Sequence, residues 1–235
     1  MSKQTLSVIV STVFFAMSSA VFSVAAPGEG ADSAGMKGTA FHVNDPTGRN
    51  AVTFKSEAPL EDIVGTTNQI TGKIVFDPQH PEAGGYAELM VSSSALNTGI
   101  PLRDEHLRGA DWLDAGKYPQ ITLKISKVEN VREVQSSSTS ATYELDAHGE
   151  LTLRGKTKTV SFPARITYLK ETEATKQRLP GDLLAARASF EVGLADFGIR
   201  GPKGMDLVGS KVGATIQIDV SLMGSTASTP VASNP

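Results

Sequence analysis

The sequence predicts an all-β domain of antiparallel strands, on three grounds. Apolar and polar residues alternate with a period of two in many short segments, as in strands that have one buried and one solvated face. Clusters of Gly, Pro, Asn and Ser separate these segments. No long segment has the spacing of an amphipathic helix. These patterns fit a closed barrel or a sandwich, and composition alone does not separate the two.

The first half of the chain contains five predicted strands. In one of them Ile70, Ile74 and Phe76 share a face, and in another Leu89 and Val91 do so. Turn-forming Pro and Gly residues lie between these two strands. The five predicted segments are residues 41–43, 50–56, 61–66, 69–77 and 86–93.

The second half continues the alternation. His148 and Gly149 are predicted to form a turn between two short strands. Pro163 interrupts a long strand and lacks an amide hydrogen, so we expect an edge or a bulge there. Residues 170–182 are polar and predicted to form a loop. The predicted strands are residues 120–126, 142–147, 160–168, 186–192 and 212–222, with a short strand at Leu151 and Leu153. Among the segments of both halves, we expect eight or nine to form strands of one domain.

Residues 103–119 interrupt this pattern. They contain the only Trp of the chain, two Arg, four acidic residues and one of the four His. The segment is predicted to be a short, charged helical connection between two strands. Trp112 is expected to pack this connection onto the end of the β-domain, because an indole ring buries a large apolar area.

The charged residues of this connection have three interpretations. Asp104 and Arg108 are four residues apart, so they can form an ion pair that only holds the helix in shape. Alternatively, Arg103 or His106 faces a ligand and binds its polar head. Acid/base catalysis by Asp104 and His106 is the third interpretation, but no nucleophile or oxyanion donor is identifiable beside them.

The N-terminal segment has the pattern of a secretory signal. Lys3 precedes an almost uncharged apolar run, and small residues suited to signal peptidase end at Ala25, with Ala20 as a second candidate site. We therefore expect a signal peptide at residues 1–25, a flexible linker at 26–38, one β-domain at 39–223 and a disordered tail at 224–235. The mature protein is then periplasmic or secreted and has no membrane span; an uncleaved N-terminal anchor is the alternative.

Composition argues against several functions. The chain has 22 basic and 25 acidic residues, a formal net charge of −3, which disfavours nucleic acid as a partner. It has no Cys, which excludes disulfides and a thiol nucleophile, and it lacks a G-x-S-x-G motif. The four His residues are far apart and lack metal-ligand spacing. We therefore expect neither a metal site nor catalytic residues.

Three motifs resemble the YceI-like family of secreted bacterial proteins. The first is R-D-x-H-L-R-x-x-D-W-L-D-x-x-K-Y-P at residues 103–119. The second is G-x-L-T-x-x-G-x-T-K at residues 149–158, and the third is D-F-G-I at residues 196–199. Residues 40–223 can be placed along the family pattern.

This resemblance implies an antiparallel eight-stranded lipocalin-like β-barrel with a short helical connection capping one end. It also implies that the barrel interior holds a long polyisoprenoid or another lipid chain. The sequence departs from the family at Gly48, where many relatives have a His, and residues 57–61 lack a second family His. A role of those His residues in binding a head group cannot be transferred to this chain.

We expect an exported protein that sequesters or carries a long-chain isoprenoid-type lipid, such as a polyprenyl phosphate, a prenylated quinone or a fatty-acid derivative. Apart from the lipid no cofactor is expected, and the protein is predicted to be monomeric or a weak homodimer. The alternatives are an enzyme that acts on a bound lipid or quinone, and a stress-linked interaction protein with a filled core. The predicted ligand-binding residues are Phe54, Phe76, Leu89, Val91, Arg103, His106, Trp112, Leu123, Phe162, Phe190 and Phe197.

Overall fold

The computed structural model describes residues 38–227, which form ten β-strands and two short α-helices. The strands are β1 (Thr39–Val43), β2 (Ala51–Glu57), β3 (Asp62–Thr67), β4 (Ile70–Phe76), β5 (Gly85–Ser92), β6 (Gln120–Ser136), β7 (Ser140–Leu153), β8 (Lys156–Leu169), β9 (Leu183–Gly193) and β10 (Thr215–Ser225). The helices are α1 (Pro101–Arg108) and α2 (Glu173–Lys176). Among these residues, no helix has both the length and the apolar character needed to cross a bilayer.

Eight of the strands close into an antiparallel barrel in the order β1-β4-β5-β6-β7-β8-β9-β10. The ring closes where His42 of β1 pairs with Ser225 of β10. This confirms the predicted antiparallel eight-stranded barrel, and α1 is the predicted short helical connection. Closure also resolves the choice between a barrel and a sandwich, because a sandwich would leave two separate sheets.

The remaining two strands form a hairpin on the outside edge of β10. β2 pairs with β10 from Ile216 to Ser221, and β3 pairs only with β2 within the sheet. The free edge of β3 is held by Asn97, whose backbone exchanges two hydrogen bonds with Thr66, at 2.8 and 3.1 Å. The hairpin therefore widens one end of the barrel wall and ties it to the segment that leads into α1.

The predicted turn at His148 and Gly149 is wrong, because β7 runs without a break through both residues. Gly149 pairs with Ile125, and a Cβ at Gly149 would lie 1.9 Å from the carbonyl oxygen of Lys124. The glycine therefore permits a close approach of two strands instead of a reversal of the chain. The reversal occurs at Arg154 and Gly155, which both have positive φ angles, as a two-residue hairpin turn requires.

Two predicted boundaries also change. β6 continues to Ser136, ten residues past its predicted end at Ser126, because it forms a long irregular hairpin with β7. β10 ends at Ser225, so the tail predicted to begin at residue 224 begins later. At this end of the strand the buried Ser225 hydroxyl donates a hydrogen bond to the Pro180 carbonyl oxygen. The predicted loop at 170–182 contains the single turn of α2. The predicted signal peptide, the linker up to residue 37 and the tail from residue 228 lie outside the described residues.

Pro163 marks the place where β8 and β9 separate, as the sequence predicted. Pairing between these strands runs from Leu169 and Leu183 to Ala164 and Ala188, where it ends. Pro163 is the next residue of β8 and has no amide hydrogen to donate. From there towards the β7–β8 turn the two strands are not paired, and the rings of Phe162 and Phe190 stack between them.

The buried core forms two clusters, one towards each end of the barrel. One cluster is centred on Phe41, Phe76 and Tyr143, with Phe76 and Tyr143 in edge-to-face contact at 5.5 Å. The other is centred on Leu113 and Phe197 and lies beneath α1 and the segment after β9. Phe190, Leu123 and Val160 pack against both clusters and so mark the middle of the barrel.

Candidate functional site

A cavity of about 470 Å³ lies inside the barrel, and we refer to it as the main cavity. Its wall is formed by alternate, inward-facing residues of the strands, such as Leu89 and Val91 of β5 and Ile218 and Val220 of β10. Its volume lies within the range of about 300–1,000 Å³ that is usual for small-molecule sites. The lining is apolar except for six residues: Ser56, Glu61, Thr98, Arg103, His106 and Lys211.

The cavity opens where three segments meet. Ile100 and Leu102, at the start of α1, line the cavity yet are 46% and 61% exposed, so they lie at its mouth. Leu60, in the β2–β3 turn, donates its backbone N–H to the Ser210 carbonyl oxygen at 3.2 Å. The mouth is therefore framed by α1, the β2–β3 turn and residues 200–212.

Asp104 fixes the position of α1 at this mouth. Its Oδ1 accepts hydrogen bonds from the backbone N–H and the hydroxyl of Thr98, both at 2.7 Å. Burial of Asp104 raises the pKa of its carboxyl group, but the Thr98 hydrogen bonds and the charges of Arg108 and Arg103 outweigh this, so the net pKa is lowered. Asp104 is therefore an ionised anchor of the helix.

The predicted ion pair between Asp104 and Arg108 is not formed as a direct contact. Asp104 is bonded to Thr98, while Nη2 of Arg108 donates to the Leu96 carbonyl oxygen at 3.4 Å. Both charged groups thus hold α1 against the barrel. The sequence predicted a structural role for them, although through a contact with each other.

The polar side chains of the main cavity are predominantly cationic. Arg103 and His106, three residues apart on α1, both line the cavity, and so does Lys211. Nη2 of Arg103 lies 3.3 Å from Oε2 of Glu61, a contact that spans the mouth from α1 to the β2–β3 turn. Within residues 38–227 the side chains of His106 and Lys211 form no ion pair. These two groups are free to bind a polar or anionic part of a ligand.

Trp112 and Arg154 close the barrel end beside α1. Trp112 lines the main cavity and packs against the cluster centred on Leu113, as the sequence predicted for the cap. Arg154, at the β7–β8 turn, donates hydrogen bonds to the carbonyl oxygens of Ala110 and Gly198, both at 2.6 Å. The arginine therefore links three separate segments at this end of the barrel.

A second cavity of about 90 Å³, the far cavity, lies towards the other end of the barrel. Five alanines line it, at positions 87, 147, 164, 186 and 188, together with Phe76 and Phe162. Phe162 stacks on Phe190, with ring centroids 4.4 Å apart and 12° between the ring planes. The small side chains of these strands therefore leave space in the interior.

Most of the predicted ligand-binding residues are brought together by the fold. Eight of them line the main cavity: Phe54, Leu89, Val91, Arg103, His106, Trp112, Leu123 and Phe190. Phe76 and Phe162 line only the far cavity. Phe197 lines neither; it is buried among Leu153, Val192 and their neighbours. Whether any of these residues contacts a ligand stays a prediction.

Sequence reasoning missed the contribution of the segment after β9. Leu194, Ile199, Leu207, Lys211 and Val212 all line the main cavity, although none of them belongs to a strand. Between residues 200 and 211 the segment has no period-two alternation, so it reads as a loop. The D-F-G-I motif contains Ile199 and the predicted strand at 212–222 contains Val212, but no pattern in the sequence marked Leu207 or Lys211 as cavity residues.

No group of three or more His, Asp or Glu side chains in residues 38–227 is arranged to hold a metal ion. His42 lies on β1, His80 before a short turn, His106 on α1 and His148 on β7. The ring of His148 contacts Glu129 at 3.1 Å on the outside of the barrel, and that of His80 contacts Asp77 at 3.2 Å. These contacts are local surface pairs.

Comparison with known proteins places this fold among described relatives. Residues 43–223 match the YceI-like domain. A UPF0312 protein of Pseudomonas putida (strain W619) is 30% identical over 205 residues, which cover 86% of this chain and 95% of that protein. Protein YceI of Escherichia coli O157:H7 is 32% identical over 136 residues, which cover 57% of this chain and 65% of that protein.

Two solved structures share the fold. Burkholderia cenocepacia BcnA superposes with a TM-score of 0.58 at 20% identity, and covers 77% of this chain and 98% of its own. A polyisoprenoid binding domain from Saccharophagus degradans superposes with a TM-score of 0.57 at 13% identity, and covers 80% of this chain and 99% of its own. At these identities the likeness concerns the fold.

Proposed function

Because the chain belongs to the YceI-like domain family, we propose that it binds a long apolar lipid chain inside the barrel. The observation that carries this proposal is the main cavity of about 470 Å³, which is apolar along the strands and polar only in a few places. The name of the Saccharophagus degradans domain, polyisoprenoid binding, supports an isoprenoid as the ligand.

The energetics favour a ligand of this kind. Each buried isoprene unit contributes about 4 kcal/mol before ordering costs, at about 0.8 kcal/mol per carbon group. A chain of several units therefore gains enough free energy to offset the loss of its own freedom and that of the protein. Polar contacts are not needed for affinity; their role is to orient the ligand.

Arg103, His106 and Lys211 are the groups that would meet the head of the lipid. They bring two positively charged groups and one imidazole ring to a cavity whose described lining contains one acidic residue, Glu61, which pairs with Arg103. This balance favours a phosphate or carboxylate head over a neutral one, so a polyprenyl phosphate or a fatty acid fits better than a quinone.

We further propose that binding occurs without turnover. A catalytic pair would need a base held by a second group, but Asp104 is occupied by Thr98, and the His106 ring has no hydrogen-bond partner within residues 38–227. Export to the periplasm or medium is proposed from residues 1–25 alone; detection of the mature protein in a periplasmic or culture fraction would test it.

A binding titration with a fluorescent prenyl or acyl probe tests the proposal. We expect saturable binding with one site, displacement by unlabelled polyprenyl phosphate and recovery of the displaced lipid unchanged. No saturable binding of any chain would contradict the proposal, and chemical conversion of the lipid would favour the enzyme. A filled core would support the alternative of an interaction protein.

A further inference from the structure

We infer that the far cavity is an extension of the lipid site, and that the Phe162–Phe190 stack sets the chain length that the barrel accepts. This inference rests on the proposed function, since it concerns where a bound chain ends. The end of a bound chain would lie in the far cavity, and Phe190 separates this cavity from the main cavity.

The two cavities share a wall. Five residues line both of them: Leu89, Leu123, Phe190, Val220 and Leu222. Phe190 has the largest side chain of the five, and it is the one held in a ring stack. The main cavity and the far cavity are thus neighbouring spaces along the barrel interior, divided by a layer of side chains with Phe190 as its bulkiest member.

The separation of β8 and β9 explains why the two rings meet there. Ala164 and Ala188 form the last backbone pair, so Phe162 and Phe190 would face each other two residues further along in the same register. Pro163 ends the backbone pairing, and the rings stack in the space that is left. Backbone pairing does not restrain the two strands to each other at this level, so the Phe190 ring is held there by side-chain contacts such as the stack on Phe162.

Space beyond the partition is available and apolar. The far cavity has a volume of about 90 Å³ and is lined by five alanines, by Phe76 and Phe162 and by other apolar residues, with Arg187 as the charged residue of the lining. A predominantly apolar cavity of this kind favours apolar groups. The end of a prenyl or acyl chain is therefore the chemical group that fits it.

This arrangement predicts a characteristic dependence of affinity on chain length. Affinity rises with each added isoprene unit until the chain reaches Phe190. Longer chains gain little more, because they must displace the ring before they can enter the far cavity. In the wild-type protein the Phe162–Phe190 stack thus limits the preferred length of the ligand.

The test is a displacement titration with farnesyl, geranylgeranyl and solanesyl phosphates, carried out on the wild-type protein, Phe190→Ala and Phe190→Leu. Both variants remove the ring, and Phe190→Leu keeps more of the packing should Phe190→Ala fold poorly. We expect the preference for the solanesyl over the geranylgeranyl chain to increase about tenfold, the factor that corresponds to one aromatic stack. The affinity of each variant for the farnesyl chain serves as the reference against which its affinities for the longer chains are expressed.

Phe41→Leu is the matched control for Phe190→Leu, because Phe41 is buried in the barrel core but lines neither cavity. It should not change the preference for chain length. If the Phe190 variants bind all three chains with the wild-type ratios, the inference is wrong, although the proposed function stands. If the wild-type protein binds none of them, the proposed function itself fails.

Discussion

Nη2 of Arg154 donates a hydrogen bond to the carbonyl oxygen of Ala110 at 2.6 Å, which joins the β7–β8 turn to the segment after α1. The same guanidinium group also reaches Gly198, in the segment after β9. Three parts of the chain that are distant in sequence thus meet at one side chain. The cap of the barrel is held by this arginine as well as by apolar packing.

Replacing this arginine should weaken the cap. We expect Arg154→Ala to lower the free energy of unfolding by about 1–3 kcal/mol, because a partly buried carbonyl group at Gly198 and an exposed one at Ala110 lose a charged donor. Arg132→Ala is the control: its guanidinium is 71% exposed and pairs with Glu144 on the surface, so the loss should be under about 1 kcal/mol. Urea denaturation measures both values, and equal losses would contradict the role assigned to Arg154.

A carboxylate in the wall of the main cavity should abolish binding of the lipid. We expect Val91→Asp to weaken the binding of a prenyl probe about a hundredfold, because the chain would then lie against a charged or desolvated group. Met90→Asp is the matched control, since Met90 is the preceding residue on β5 and does not line either cavity. If both variants lose binding alike, the ligand does not lie in this cavity.

Gly149 should not tolerate a side chain. A Cβ would lie 1.9 Å from the Lys124 carbonyl oxygen, so Gly149→Ala must push two paired strands apart. We expect a loss of about 1–3 kcal/mol in the free energy of unfolding, as for other overpacked sites. Gly116→Ala, where an added Cβ meets nothing within 4 Å, should change stability by less than about 0.5 kcal/mol. If Gly149→Ala left the free energy of unfolding unchanged, Gly149 would have to lie in an exposed turn and not between two closely paired strands.

Asp45 should contribute to stability in a pH-dependent way. A hydrogen bond from the Arg49 side chain is the main cause that lowers the pKa of Asp45 from 3.8 to about 2. Because the folded-state pKa is the lower one, the contribution is present above 3.8 and is lost as the pH falls towards 2. We expect Asp45→Asn to be less stable than the wild type at neutral pH and to approach it in acid. Urea denaturation midpoints of the two proteins, measured across this pH range, test this expectation. A stability difference that does not change with pH would contradict it.

The barrel itself could be predicted because its strands obey one rule along most of their length. In β5, β8 and β9 the inward residues alternate with outward ones, so the pattern gives both the strand and its face. Residues 127–136 of β6 break this rule, since most of them are exposed, and the extension of the hairpin was therefore missed. Exposure on both faces leaves no alternation to detect.

The candidate site was predictable only in part. Strand residues such as Leu89 and Leu123 were found from alternation, and Arg103 and His106 from the charged connection. Gly149 was misread because glycine is common both in turns and where two strands approach closely. Lys211 was missed because it reaches the cavity from a loop, and only the tertiary fold brings that loop to the mouth.

A crystal structure of the protein after incubation with a polyprenyl phosphate tests the central claim most directly. The account predicts tubular density inside the barrel, along Leu89 and Val220, with its polar end near Arg103 and Lys211 and its tail at Phe190. A barrel whose interior stays empty or is filled by its own side chains at saturating lipid, or lipid bound only outside the barrel, would contradict it.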